Sequence, residues 1–191
     1  KIIAMSDMQK DWSNWDKYDE IIHEGIIDYL TDEYSDDLPE ELQMILIAGD
    51  LVDTGSNYTH WVDHFFSPSA PLFAHVPLYP VLGNHEANTN YYFKYFNLPE
   101  NGSAGYEEHW WFTDNSNLRV IGLDSNWDFQ LDVQLNWLED VLTDACYNPQ
   151  IDFVFAQLHH PYKSELWIDG NTDYTGEVIS RMEAFTTECG K

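Results

Sequence analysis

Four short strings in this 191-residue chain set ligand-type side chains at the ends of apolar runs. Asp7 and Gln9 follow Ile2-Ile3-Ala4, and Gly49-Asp50-Leu51-Val52-Asp53 follows the run from Met44 to Ala48. Gly83-Asn84-His85-Glu86 follows Pro80 to Leu82, and His159-His160-Pro161 follows Phe153 to Ala156. A carboxylate, a neutral amide and an imidazole on neighbouring turns make a cage for hard or borderline divalent metals. Each residue also has a plainer use: an Asp after Gly caps a turn, and Asn is common in a Gly-Asn turn. Four strand ends carrying metal-type residues are far harder to obtain by chance than one.

The elements that must position these strings follow from hydrophobic spacing. Lys1 to Ser6, Leu42 to Ala48 and Asp152 to Leu158 read as buried strands, and Leu78 to Leu82 as a further strand. Tyr18 to Leu30 carries Ile21, Ile22, Gly25, Ile26, Tyr29 and Leu30 at helical spacing, so the first two strands are joined by a parallel, right-handed crossover. Tyr58 to Phe66 and Asn90 to Phe96 read as short helices, with Pro68, Pro71, Pro77 and Pro80 breaking the chain between them. His109 to Thr113 and Leu118 to Leu123 read as a hairpin around Asp114-Asn115-Ser116-Asn117. Leu131 to Cys146 is the clearest helix, with Leu131, Leu135, Leu138, Val141, Leu142 and Ala145 on one face. Glu177 to Glu188 reads as a last helix. The alternation predicts an α/β fold, with sites at strand C-terminal ends. No repeat or linker interrupts it, so residues 1–191 are expected to form one domain.

The ordered set Asp7-x-Gln9, Gly49-Asp50-x-x-Asp53, Gly83-Asn84-His85-Glu86 and His159-x-Pro161 resembles the calcineurin-like metallophosphoesterases, nearest to the purple acid phosphatase branch. The resemblance implies mixed sheets in a layered αββα sandwich and two divalent or trivalent metal ions drawn from Zn, Mn, Fe or Mg. It implies that Asp50 bridges the two ions, that Asp7 and Gln9 serve the first, and that Asn84 and His159 serve the second. Gln9 stands where many relatives carry His, and it can bind directly, through water or not at all. Asp53 is either a ligand or a group that orients the loop. His85 is implied to face the substrate and protonate the leaving oxygen, with Glu86 or another carboxylate on its other nitrogen. The nucleophile is implied to be a hydroxide generated by the metals. His160 adjoins His159, and strand alternation sends neighbours to opposite sides. The family's usual closing Gly-His-x-His is absent, since no histidine follows His160. The expectation drawn from this is a chain cut short before its last strands. The implied activity is phosphoester hydrolysis; the alternative is a non-catalytic domain that keeps the fold for binding or scaffolding.

Eight Lys and Arg stand against 34 Asp and Glu, a net charge of −26. Such a field repels nucleic acid and anionic membranes, and it repels anionic phosphoesters as well except where metal ions locally invert the potential. The phosphoester substrate is what the resemblance implies. No run approaches the roughly 20 apolar residues of a membrane span. Cys146 and Cys189 can form one disulfide, as in an exported protein, or remain two free thiols. The lone histidines His23, His60, His64 and His75 read as surface or packing residues, and His109 as a hydrogen-bonding one. Tyr162, Asn126 and Trp127 lie near strand ends and could shape a substrate pocket. Asp169-x-Asn171-x-Asp173 resembles the opening of a calcium loop but lacks its glycine and closing glutamate, and reads as a solvated turn.

Overall fold

The computed structural model describes residues 1–10, 13, 15–166 and 170–191. Asp169, first residue of the calcium-loop-like string, lies outside the described residues. The chain divides into two units, one of residues 1–80 and 84–96, the other of residues 81–83 and 97–191.

The first unit is built on a parallel sheet ordered β1 (Ile2–Met5), β2 (Met44–Ile47), β3 (Leu78–Pro80). Ile3 pairs with Ile45, and Ile47 with Pro80. The central β2 is buried at every position, as a strand covered on both faces must be. The edge strand β1 differs from expectation: its residues alternate between exposed and half-buried. Pro80 is tolerated because β3 is the other edge and owes no N–H there.

The helix expected at Tyr18 to Leu30 is longer and unusual. It runs through residues 17–33, and Ile21–Asp28 adopts the wider π spacing. A second such run begins with His60–Phe66 in π spacing and continues as Ser67–Phe73. Pro68 and Pro71 therefore lie within a helix that the sequence reading ended at Phe66. Pro68 offers no N–H to the π-spaced turn before it, so the ladder is interrupted where the two segments join. The Ser69 hydroxyl donates to the Phe65 carbonyl at 2.5 Å, so a side chain serves an acceptor beside the interrupted ladder. Buried Trp61 and Phe65 project from this run, and Tyr18 stacks on Phe65 at 6.0 Å.

The second unit carries a mixed sheet ordered β4 (Trp111–Asn115), β5 (Leu118–Gly122), β6 (Phe153–Gln157). β4 and β5 are antiparallel, whereas β5 and β6 are parallel. Asn115 pairs with Leu118, so the hairpin turn is only Ser116-Asn117, with Ser116 at φ 55°. Asp114 and Asn115 belong to the strand because Arg119, directly opposite Asp114, binds its carboxylate at 2.8 and 2.9 Å. The helix Asp132–Tyr147 buries Leu135, Leu138, Val141, Leu142 and Ala145, five of the six residues expected on that face; Leu131, the sixth, is extended and precedes the helix as its cap residue. The helix Tyr174–Cys189 adds Tyr174, Val178 and Phe185 to the same core, joined by Trp110, Ile121, Leu123 and Ile151. Cys146 and Cys189 form a disulfide with Cα atoms 5.6 Å apart, tying the ends of the two helices. β6 is not the buried strand expected: Phe153 and Phe155 are about half exposed while Val154 and Ala156 face the core. It is an edge strand with one face packed.

Candidate metal centre

In the first unit the turns after β1 and β2 are laced together. The Asp7 amide donates to Gly49 O at 3.3 Å and the Met8 amide to Asp50 O at 3.0 Å. Asp7 and Asp50 both hold positive φ, 56° and 52°. Left-handed backbone at a non-glycine residue is costly and clusters at functional sites. The two turns bring a carboxylate oxygen of Asp7 within 4.8 Å of one of Asp50. Asp50 is 2% exposed, whereas Asp7 is exposed.

Asp50 has defined partners. Its Oδ1 accepts from the His85 amide at 3.0 Å, and its Oδ2 lies 3.4 Å from Gln9 Nε2. Gln9 Oε1 is buried and accepts no hydrogen bond from the described residues. A buried oxygen left in that state costs about 1–3 kcal/mol. Two close carboxylates also repel unless a cation or proton lies between them. The donor set of Asp7, Asp50 and Gln9 therefore fits a hard divalent cation. Gln9 turns its nitrogen end toward Asp50 here, so ligation by its oxygen requires a half turn of the amide.

Glu86 follows a different plan from the one expected. It is fully buried, and its carboxylate accepts three backbone N–H groups: Asp50 at 2.9 Å, Leu51 at 2.8 Å and Val52 at 3.2 Å. It holds the Asp50 turn and not the His85 ring. His85 Nδ1 lies 2.7 Å from the Asp53 carbonyl oxygen. A carbonyl only accepts, so Nδ1 carries the proton and Nε2 is the nitrogen that faces outward. Nε2 lies 3.8 Å from Asp50 Oδ2, and Asp53 Oδ1 lies 3.8 Å from Nδ1. The His85 carbonyl accepts from the Gly55 amide at 2.9 Å. Asn84 is exposed at the start of the turn 84–88, where Ala87 and Asn88 also hold positive φ.

In the second unit His159 is 8% exposed just beyond β6. Its neighbour His160 is fixed by Ser125, whose hydroxyl oxygen accepts the His160 amide at 2.9 Å and meets Nδ1 at 2.9 Å. The two imidazoles pack edge to face, with centroids 4.9 Å apart and planes at 78°, so they are not sent to opposite sides as strand alternation predicts; both lie beyond the end of β6, where that alternation no longer holds. His109 pairs with buried Asp124 at 2.8 Å and stacks on Phe129 at 4.0 Å. The amide of Gln134 brackets the Asp124 backbone, accepting from its N–H and donating to its carbonyl, each at 2.9 Å. Asn126 donates to Asp124 Oδ1 and to Gly83 O, while Trp127 is 85% exposed. Asp124, Ser125 and Gln134 carried no motif; the one available cue was a polar triplet directly after the apolar run of β5.

The calcineurin-like phosphoesterase family profile matches residues 1–187, and the chain belongs to that family. No curated protein matches the chain. Solved structures do. A dimetal phosphatase from Danio rerio aligns over 96% of this chain and 77% of its own, with TM-score 0.66 and 14% identity. GAP50, the anchor in the inner membrane complex of Plasmodium, aligns over 96% and 62%, with TM-score 0.60 and 14% identity. The purple acid phosphatase PPD1 of yellow lupin (Lupinus luteus) aligns over 81% and 29%, with TM-score 0.58 and 18% identity. The chain thus spans less than two thirds of GAP50 and of the lupin enzyme. At these identities the likeness is one of fold.

Proposed function

We propose that this chain is a metal-dependent phosphoester hydrolase with a dinuclear centre. Asp7, Asp50 and Gln9 would hold one ion; Asp50, Asn84 and His159 would hold the other. The bound ions would supply Lewis-acid charge at the phosphoryl oxygens and a deprotonated water as nucleophile. The observation that carries this reading is buried Asp50, held at a strand end by the amide of His85 and set beside Asp7.

His85 would act as the proton donor. Its Nδ1–H is engaged by the Asp53 carbonyl, so the ring is oriented; in the imidazolium form Nε2 carries the second proton and would give it to the leaving oxygen, which leaves the neutral ring protonated on Nδ1. Asp53 would orient His85 and would not bind metal. Glu86 would keep the Asp50 turn rigid. His160, held by Ser125, would direct its neighbour's backbone and not bind an ion. The net charge of −26 argues for small phosphoesters over polyanions.

The test is metal analysis with turnover of nitrophenyl phosphate and bis-nitrophenyl phosphate, in the wild type and Asp50→Asn. The reading expects two ions per chain, hydrolysis of at least one ester, and loss of tight binding of both ions in the variant. Unchanged metal stoichiometry in Asp50→Asn would refute the bridging role. A second reading, a domain that keeps the fold for binding, draws support from the likeness to GAP50 and from glutamine at position 9. Full metal loading without turnover of either ester would favour it.

A further inference from the structure

His60, whose sequence context predicts a surface or packing histidine, meets the turn that carries His85 through one peptide group. The Thr54 amide donates to His60 Nδ1 at 3.1 Å. The other end of that same peptide, the Asp53 carbonyl, accepts from His85 Nδ1 at 2.7 Å. We propose that His60 is a positioning residue for His85, acting through the Asp53–Thr54 peptide that the two imidazoles share.

The roles of the atoms are fixed by partners that have no choice. A backbone N–H only donates, so His60 Nδ1 is a bare acceptor and its proton sits on Nε2. A backbone carbonyl only accepts, so His85 carries its proton on Nδ1. The chain of contacts therefore runs in one direction, from the His85 N–H through the carbonyl and the Thr54 N–H to the His60 lone pair. An amide whose N–H is well accepted has a more negative carbonyl, so each bond strengthens the other. The same contacts fix the plane of the peptide, and with it the direction in which His85 Nε2 points.

His60 is itself well placed to do this. It begins the π-spaced stretch His60–Phe66, and the Asn57 carbonyl accepts its amide at 3.1 Å. The Asn57 amide in turn donates to Thr54 O at 2.9 Å, so a tight turn folds His60 back over Thr54. Its ring stacks on His64 at 4.6 Å, and His64 meets the edge of Trp15 at 5.0 Å. The side chain is only 17% exposed. Asp53 Oδ2 lies 3.9 Å from His60 Nδ1, beyond hydrogen-bond length, so the Thr54 amide is the partner of that nitrogen.

The proposal rests on His85 as proton donor for its kinetic consequence, but the geometry is testable without turnover. In the ¹⁵N-labelled wild type, long-range ¹H–¹⁵N correlation should find His60 protonated on Nε2 and His85 on Nδ1. In His60→Phe, which keeps a stacked ring but removes the acceptor, His85 should drift toward a mixture of tautomers. His60→Asn places an amide oxygen where Nδ1 stood and should restore the Nδ1–H form. In turnover, His60→Phe should lower kcat for alkyl phosphoesters about five- to tenfold, the scale of one hydrogen bond. KM should be unchanged and nitrophenyl esters nearly unaffected, since their leaving groups need little protonation. His60→Asn should recover most of the loss, and His60→Phe should add nothing in a His85→Ala background. A wild-type His60 protonated on Nδ1, or an unshifted His85 in His60→Phe, overturns the proposal even if the protein hydrolyses esters. So does a His60→Asn variant as impaired as His60→Phe. If no ester is hydrolysed, the functional reading fails while the tautomer measurements still decide the role of His60.

Discussion

Glu86 commits its whole carboxylate to the amides of Asp50, Leu51 and Val52. Three charge-assisted bonds in a fully buried site make it the residue on which the Asp50 turn depends. Glu86→Gln keeps the shape but turns one acceptor oxygen into a donor that faces a backbone N–H. Unfolding in urea should show a loss of about 2–4 kcal/mol, the scale of one charged hydrogen bond replaced by an unmet buried donor. Metal affinity should fall with it, because Asp50 loses its fixed φ. A variant as stable as the wild type would mean that water serves those amides equally well. Sequence exposed the types of these residues but not their division of labour. Asp50 and His85 were legible because their strings follow apolar runs. Glu86 or another carboxylate is the partner a sequence suggests for His85, since adjacency is what a sequence displays. Its true partners lie 34 to 36 residues away. His60 was missed for a related reason: its contact is with a backbone atom, which no residue type announces.

At the scale of elements, the turns are packed tightly enough to transmit such contacts. A Cβ on Gly55 would come within 2.4 Å of the Glu86 carbonyl oxygen and 2.7 Å of its Cα, both backbone atoms that cannot swing aside. Gly55→Ala should therefore displace the turn that carries His85 and Glu86, costing about 1–3 kcal/mol as overpacked sites do. Calorimetric metal titration should show weaker binding in that variant, whereas an unchanged profile would mean the two turns move as one. In the second unit the Cys146–Cys189 disulfide closes a separation of 43 residues between the two long helices. Replacing both by Ala should lower stability by about 4 kcal/mol on loop-entropy grounds, read as a shift in the urea midpoint. Helix Asp132–Tyr147 was legible because six apolar residues at one period leave few alternatives. The half-exposed strands β1 and β6 were misread as buried because an apolar run has the same sequence whether one face or both are covered. The helix through Pro68 and Pro71 was hidden for the opposite reason. Local punctuation predicted a break, but the π-spaced turn before it and the Ser69 hydroxyl accommodate the prolines.

The charge of the whole molecule bears on both folding and substrate approach. Lys1, Lys10, Lys17, Arg119 and Arg181 are already engaged with carboxylates, which leaves most of the 34 acidic side chains without a basic partner among the described residues. Self-repulsion at −26 should therefore be a substantial destabilising term at low ionic strength. Raising NaCl from about 0.05 M to 0.5 M shortens the screening length to roughly a third. The thermal midpoint should rise over that range, in the direction opposite to a protein held by surface ion pairs. The same field opposes an incoming phosphoester in proportion to its charge. A monoester dianion should feel roughly twice the repulsion of a diester monoanion, so added salt should lower KM for nitrophenyl phosphate more than for bis-nitrophenyl phosphate. Initial rates for both esters across a NaCl series, at fixed saturating metal, separate the two effects. A KM for the monoester that rises with salt would mean that bound metal ions already dominate the approach and that the acidic surface is electrically remote from the site.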